Sequence, residues 1–293
     1  MKESAAEMEA PPLPEPRKGE RHMLRRTGWV LIALLTLVAA GAGVASPAVY
    51  DGLVEKPYLP GAYSQDVMSV AAALALLVLA LTAKASRPRL ELIALGLLGY
   101  LVYAYGIYTI ERVYNGLYLV YMSIFATALW AVVYEAVALC RRMAQVSLPK
   151  SVRLLSASGA LVQPVMFYPL WIGMLLPLMA ARQKIESIYS VFILDLCLIV
   201  PAFLILAIAA FRGQKTGLLL LPAAYVLGFA LILSLAAAEP AKELFGSRFD
   251  PVAFWLWLAL SLFFLVLGFL HLRLLRVDET IPARGPVMIG EKP

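Results

Sequence analysis

Carboxylates set inside apolar runs are the residues of this chain with the most chemistry to offer. Asp195 interrupts the run FILDLCLIVP, seven residues from the nearer end of its helix, or about 10 Å at 1.5 Å per residue. A charged side chain at mid-helix costs about 2.5 to 3.5 kcal/mol to insert, so it marks a functional site by default. No lysine or arginine stands well inside an apolar run. Asp195 is therefore expected to be protonated, to be hydrogen-bonded by a neighbour, or to reach a loop cation such as Arg112, Arg182 or Lys184. Its functional reading is a proton- or cation-responsive group, and its structural reading a tie between helices.

Further polar residues sit near helix ends. Asp66 follows Tyr63, Ser64 and Gln65 at the head of a second apolar run, where an acidic residue serves as a cap or complements the helix dipole. The stretch GYLVYAYGIYTIERVYNGLYLVY, residues 99 to 121, holds seven tyrosines around Glu111, Arg112 and Asn115 in a very short polar break. Two membrane helices are expected to turn back on each other there. Asn115 can cap the returning helix, Tyr118 and Tyr121 share a face with Tyr114, and tyrosines at this depth form an interfacial belt. Asp66, Glu111, Asn115 and Asp195, with Tyr108 and Tyr118, all fall toward one membrane face, which predicts a shared outward-facing polar pocket. Gln163, beside Pro164, is the candidate for a deeper polar contact, and Glu135 is expected to snorkel or pair near Arg141 and Arg142.

The elements that carry these residues are transmembrane. Hydrophobic residues make up 62% of 293 and charged residues only 15%, with the charges confined to islands between apolar runs of about twenty residues, the length that spans a bilayer core. Eight helices are predicted, near 28–48, 66–83, 90–110, 115–140, 154–181, 188–211, 216–238 and 252–272, forming an all-α polytopic bundle over 27–275. Residues 1–26 read as a disordered tail, acidic and proline-rich and then basic, and 276–293 as a second tail. The first apolar run is too long for a signal-peptide core, so it is expected to be retained. Pro164, Pro169 and Pro177 each remove a backbone donor, so the fifth helix is expected to be kinked.

Only Lys56, Arg112, Arg182, Lys184, Lys242 and Arg248 fall on one side of this arrangement, while the other nineteen of twenty-five basic residues share the side of both tails. The positive-inside rule then puts both termini in the cytoplasm of an inner-membrane protein, and the net charge of +6 reports topology and anionic lipid contact. A nucleic-acid partner is not expected.

Several activities lack their residues. Two histidines and two cysteines argue against a histidine-bound metal, bis-histidine haem, a disulfide framework and Ser-His or Cys-His catalysis. No Walker A sequence, GxGxxG turn or HExxH helix occurs, so no cofactor is expected. What remains is a transporter or a permease binding a small molecule or lipid, with Asp195 as its responsive group. The alternatives are an enzyme on a lipid-linked substrate using Asp66 or Asp195 as base, and a non-catalytic subunit or sensor with a protein partner. The first alternative needs both groups within reach of one point. No repeat between the halves supports a duplicated transporter fold.

The segments SQD at residues 64–66, GYLVYAYGIY leading to YNGLYLVY, and LDLCLIVP followed by RGQKTG resemble a family of uncharacterised prokaryotic eight-helix integral membrane proteins with no assigned activity. The resemblance implies that Gln65, Asp66, Tyr108, Tyr114, Asn115, Asp195 and Pro201 belong to one recurring site or packing core.

Overall fold

Apolar runs of this length satisfy their backbone groups as helices, and the computed structural model, which describes residues 18–82, 87–185 and 188–279, is built almost wholly of them. The order is α1 (Lys18–Ala45), α2 (Leu59–Thr82), α3 (Pro88–Ile110), α4 (Tyr118–Arg142), β1 (Met143–Ser147), α5 (Lys150–Ala160), α6 (Val162–Ala180), α7 (Tyr189–Leu194), α8 (Val200–Phe211), α9 (Lys215–Ala241), α10 (Pro251–Leu274) and β2 (Arg276–Glu279). Taken as continuous spans, eight of the described helical stretches are long and apolar enough to cross a membrane. The protein is a multi-pass helical membrane protein.

Two spans are broken, each for a reason written in a proline. Pro164 has no N–H for the carbonyl of Ala160 and crowds it, and α5 ends at Ala160 with α6 starting two residues on. Pro169 and Pro177 stay inside α6. Pro201 likewise cannot serve the carbonyl of Cys197, and the chain widens into a π-turn over Asp195–Ile199 between α7 and α8. Asp195 is the first residue of that turn.

Several boundaries differ from the sequence reading. α1 reaches back to Lys18, so residues 18–26, read as tail, are helical, while residues 1–17 lie outside the described part. α2 begins at Leu59, seven residues before Asp66. β1 and β2 pair antiparallel, Val146 with Val277 and Ser147 with Arg276, so the loop after α4 and the start of the carboxy-terminal segment form a small two-stranded cap. Residues 280–293 lie outside the described part.

The core falls into two large clusters and a smaller third, in which Leu92, Leu139, Met143, Leu219 and Leu275 join α3, α4, β1 and α9. Trp29, Ile32, Ala73, Leu98, Tyr105 and Ile124 pack α1 to α4 together, and Ala157, Phe203, Leu221, Tyr225 and Phe264 unite α5, α8, α9 and α10. Helices α3 and α9 join the halves and are the most buried spans, at 72% and 61%. Gly96 makes this possible, since a β-carbon there would lie 2.5 Å from the Ala223 carbonyl oxygen of α9. Apolar side chains such as Trp130, Leu176, Met179 and Phe269 point outward and are exposed, the surface that a bilayer would cover.

Candidate functional site

Asp66 is buried two turns into α2, held by tyrosines from two other elements. The Tyr50 hydroxyl donates to Oδ2 at 2.5 Å and the Tyr108 hydroxyl to Oδ1 at 3.0 Å. This corrects the expectation of a helix cap. Tyr50 lies in the loop after α1, and burial pushes its phenol well above the ordinary range, which keeps it a donor. Gly43 of α1 backs the carboxyl: a β-carbon there would stand 1.8 Å from Oδ2. Tyr105, Tyr108 and Tyr121 pack ring against ring around it.

Asn115 joins this group through Tyr121. Its Nδ2 donates to the Tyr121 hydroxyl at 3.0 Å and to the Val49 carbonyl at 3.1 Å, and its Oδ1 accepts the Leu117 amide at 3.0 Å. The amide thus locks the turn into α4 against the loop after α1. Tyr118 donates to the Thr109 carbonyl at 2.9 Å, tying α4 to α3. Glu111 leaves the group altogether: its Oε1 accepts the Ser190 amide and hydroxyl at the start of α7, where Tyr189 also donates to the Ile110 carbonyl.

Asp195 does not meet Asp66. Its Oδ2 accepts the Trp171 indole N–H of α6 at 2.7 Å, and the Tyr103 hydroxyl lies beside the same carboxyl. Tyr103 and Tyr105 are about 200° apart around α3 at 3.6 residues per turn. One carboxyl therefore sits on each side of α3, in separate packed environments. The expected shared pocket divides into an Asp66–Tyr108–Asn115 cluster, a separate Asp195 site and two helix ties at Glu111 and Tyr118. Two carboxyl groups working on one substrate point have no support in this arrangement. Gln163 is buried in α6 after the break, and its Oε1 has no hydrogen-bond partner among the described residues.

The opposite ends of α1, α3 and α4 hold a charged cluster that the sequence reading missed. Arg25 of α1 donates through Nη1 to Glu91 Oε2 of α3 at 2.8 Å and stands 3.8 Å from Glu135 Oε1 of α4, while Arg142 also pairs with Glu91. Glu135 thus finds its nearer cation on α1, while Arg142 of the expected pair also acts on it. Arg25 and Glu135 side chains are 7% and 4% exposed, a depth at which unpaired charges are costly. The Arg25 guanidinium also lies over the Trp29 ring, 5.3 Å from its centre. The usable signal was the Arg25–Trp29 spacing of one helical turn together with Glu91 in the first turn of α3.

Beside this cluster a trough runs between α1 and α4. Its apolar part, about 330 Å³, is lined by Gly28, Leu31, Ile32, Ala126, Thr127 and Trp130. Its second part, about 230 Å³, shares Gly28, Trp130 and Ala131 and is lined further by Arg25, Trp29 and Glu135. The trough is therefore apolar along its length, with the largely covered Arg25 and Glu135 side chains bordering one end.

A buried serine and histidine do meet, against the expectation from histidine scarcity. Ser156 Oγ lies 2.6 Å from His271 Nδ1, and His271 Nε2 lies 2.8 Å from the Leu218 carbonyl oxygen. Since the carbonyl accepts, Nε2 carries the proton and Ser156 donates to Nδ1. Tyr225 donates to the Ser156 carbonyl, and both Ser156 and His271 are fully enclosed. The pair joins α5, α9 and α10 and offers no approach to a substrate.

No family model, curated protein or solved structure matches this chain.

Proposed function

We propose that this protein binds a membrane lipid in the trough between α1 and α4, as a lipid-binding or permease protein of the cytoplasmic membrane. The observation that carries the reading is the continuity of an apolar trough with a buried Arg25–Glu135 pair at its end. Lipid-facing helix surfaces are ordinarily apolar and closely packed, and a charged end to such a trough is what a head group requires. The excess of basic residues on the side of both tails supports a cytoplasmic orientation for the ends of the chain, which would set the trough's charged end in the inner leaflet. Transport through an outward pocket shared by Asp66 and Asp195 has less support, because the two carboxyl groups face opposite sides of α3.

The experiment is photolabelling in nanodiscs with a phospholipid carrying a diazirine on its acyl chain. Adducts are expected to concentrate on residues 28–32 and 126–131. Gly28→Leu puts a side chain into the trough at a position where a β-carbon meets nothing within 4 Å, and should abolish that enrichment. Adducts spread evenly over α6 and α10 as well would overturn the reading. Orientation is tested separately in a cysteine-free background: a cysteine at Lys56 should react with an impermeant maleimide on intact cells, and one at Lys150 should not.

A further inference from the structure

From a count of protons around Asp66 we infer that this residue, with Tyr50 and Tyr108, forms a proton-binding site whose proton is held on the Asp66 carboxyl. The site is separate from the trough and does not depend on a lipid being bound there.

Four oxygen pairs around Asp66 stand at hydrogen-bond distance. Tyr50 Oη lies 2.5 Å from Asp66 Oδ2 and 3.2 Å from Tyr108 Oη, and Tyr108 Oη lies 3.0 Å from Asp66 Oδ1 and 3.1 Å from the Ala62 carbonyl oxygen. Each phenol has one proton to give. With an ionised carboxylate, Tyr50 serves Oδ2, and Tyr108 serves either Oδ1 or Ala62 and leaves the other facing it with no proton between. A proton on Oδ1 removes that conflict. Oδ1 then donates to Tyr108, Tyr108 donates to Ala62, and Tyr50 donates to Oδ2. The Tyr108 bond to Oδ1 reverses, and its donating sense belongs to the ionised form.

Nothing around the carboxyl supplies a positive charge. The groups facing it are Tyr50 of the loop after α1, Tyr100, Tyr105 and Tyr108 of α3, and Tyr121 of α4. Ser69 of α2 and Ser234 of α9 lie beside Tyr100. No lysine, arginine or histidine among the described residues pairs with Asp66, which is 1% exposed. The backbone of α1 closes the remaining side, since a β-carbon on Gly43 would overlap Oδ2. An ionised carboxyl enclosed without a cation is costly, and a carboxylic acid with a donor and an acceptor at hand is not.

Release of the proton is a small rearrangement. The proton leaves Oδ1 for solvent, and Tyr108 turns its own proton from Ala62 to the carboxylate, so that both phenols then donate to the charge. Tyr121 stands beside the Tyr50 hydroxyl and accepts from half-buried Asn115. The polar contacts thus lead to the end of the bundle that carries the turn between α3 and α4.

The test is infrared spectroscopy of the full chain in nanodiscs, with aspartate labelled by carbon-13 at its side-chain carboxyl. A label-sensitive carboxylic-acid band is expected at neutral pH, disappearing reversibly as the pH is raised. It should be retained in Asp195→Asn and lost in Asp66→Asn, and either variant alone assigns it if the other does not fold. The remaining labelled groups, Asp51, Asp250 and Asp278, are exposed. Label-sensitive carboxylate bands alone in Asp195→Asn at neutral pH would mean that Asp66 is ionised, and would overturn the inference. An Asp66 acid band that persists to about pH 10, the range of an ordinary phenol, would mean a carboxyl sealed from solvent, and would overturn it as well.

Discussion

Tyr103 and Tyr105 stand on opposite faces of α3, the first beside Asp195 and the second packed with Tyr108 and Tyr121 around Asp66. Two residues of one helix thus separate the two buried carboxyl groups that the sequence suggested were neighbours. Groups without shared partners contribute independently to stability, to within about 0.3–0.5 kcal/mol. Unfolding of Asp66→Asn, Asp195→Asn and the double variant in detergent should accordingly give additive losses. A coupling well above that range would place both carboxyl groups in one network.

Gly43 should be intolerant of even one methyl group. Its β-carbon position overlaps Asp66 Oδ2 and lies 2.7 Å from the Tyr50 hydroxyl, so Gly43→Ala must displace a carboxyl hydrogen-bonded on both oxygens. Overpacking of this kind costs about 1–3 kcal/mol. Gly41→Ala, two residues away with nothing within 4 Å of its β-carbon, should be neutral or slightly stabilising. Thermal unfolding of the pair separates the local clash from a general sensitivity of α1.

Glu111 is expected to act on α7, far along the chain from itself. Both of its contacts to Ser190 are made by one carboxylate oxygen at the first turn of α7, where helix N–H groups lack partners of their own. Glu111→Ala should loosen that short helix by about 1 kcal/mol, the usual cost of losing a side-chain cap. Hydrogen exchange over residues 189–194 should quicken, with little change in α3. Unchanged exchange there would show that the cap is dispensable.

The eight spans were legible because a bilayer demands length and apolarity of each helix independently of its neighbours. The break before α6 was legible in kind, since Pro164 announces it, although the sequence does not say which residue leaves the helix. The tyrosine cluster was half legible: Asp66, Tyr108 and Asn115 were singled out by residue type, but Tyr50 was not, because its hydroxyl reaches Asp66 only through the fold of the loop after α1. Asp195 was misplaced in relation to them because sidedness in the membrane fixes depth and leaves rotation about the helix axis open. Arg25 was hidden for a different reason. It stands three residues before the apolar run beginning at Gly28 and reads as tail, while its partners Glu91 and Glu135 lie on other helices at no recognisable spacing.

Ser156 and His271 provide a sharp test of packing against chemistry. Their 2.6 Å contact has the geometry of an activated hydroxyl, yet His271 Nε2 is committed to the Leu218 carbonyl and the pair is fully enclosed. A fluorophosphonate probe should therefore leave Ser156 unlabelled in the folded protein. Removing the hydroxyl should be felt in stability instead, because Ser156→Ala leaves Nδ1 as a buried acceptor with no donor, at a cost of about 1–3 kcal/mol. Ser156→Thr retains the donor and should recover part of that loss if the added methyl is accommodated beside α10. Rapid labelling of Ser156 by the probe would mean that α5 and α10 separate to admit a substrate, and would reopen hydrolytic chemistry at this pair.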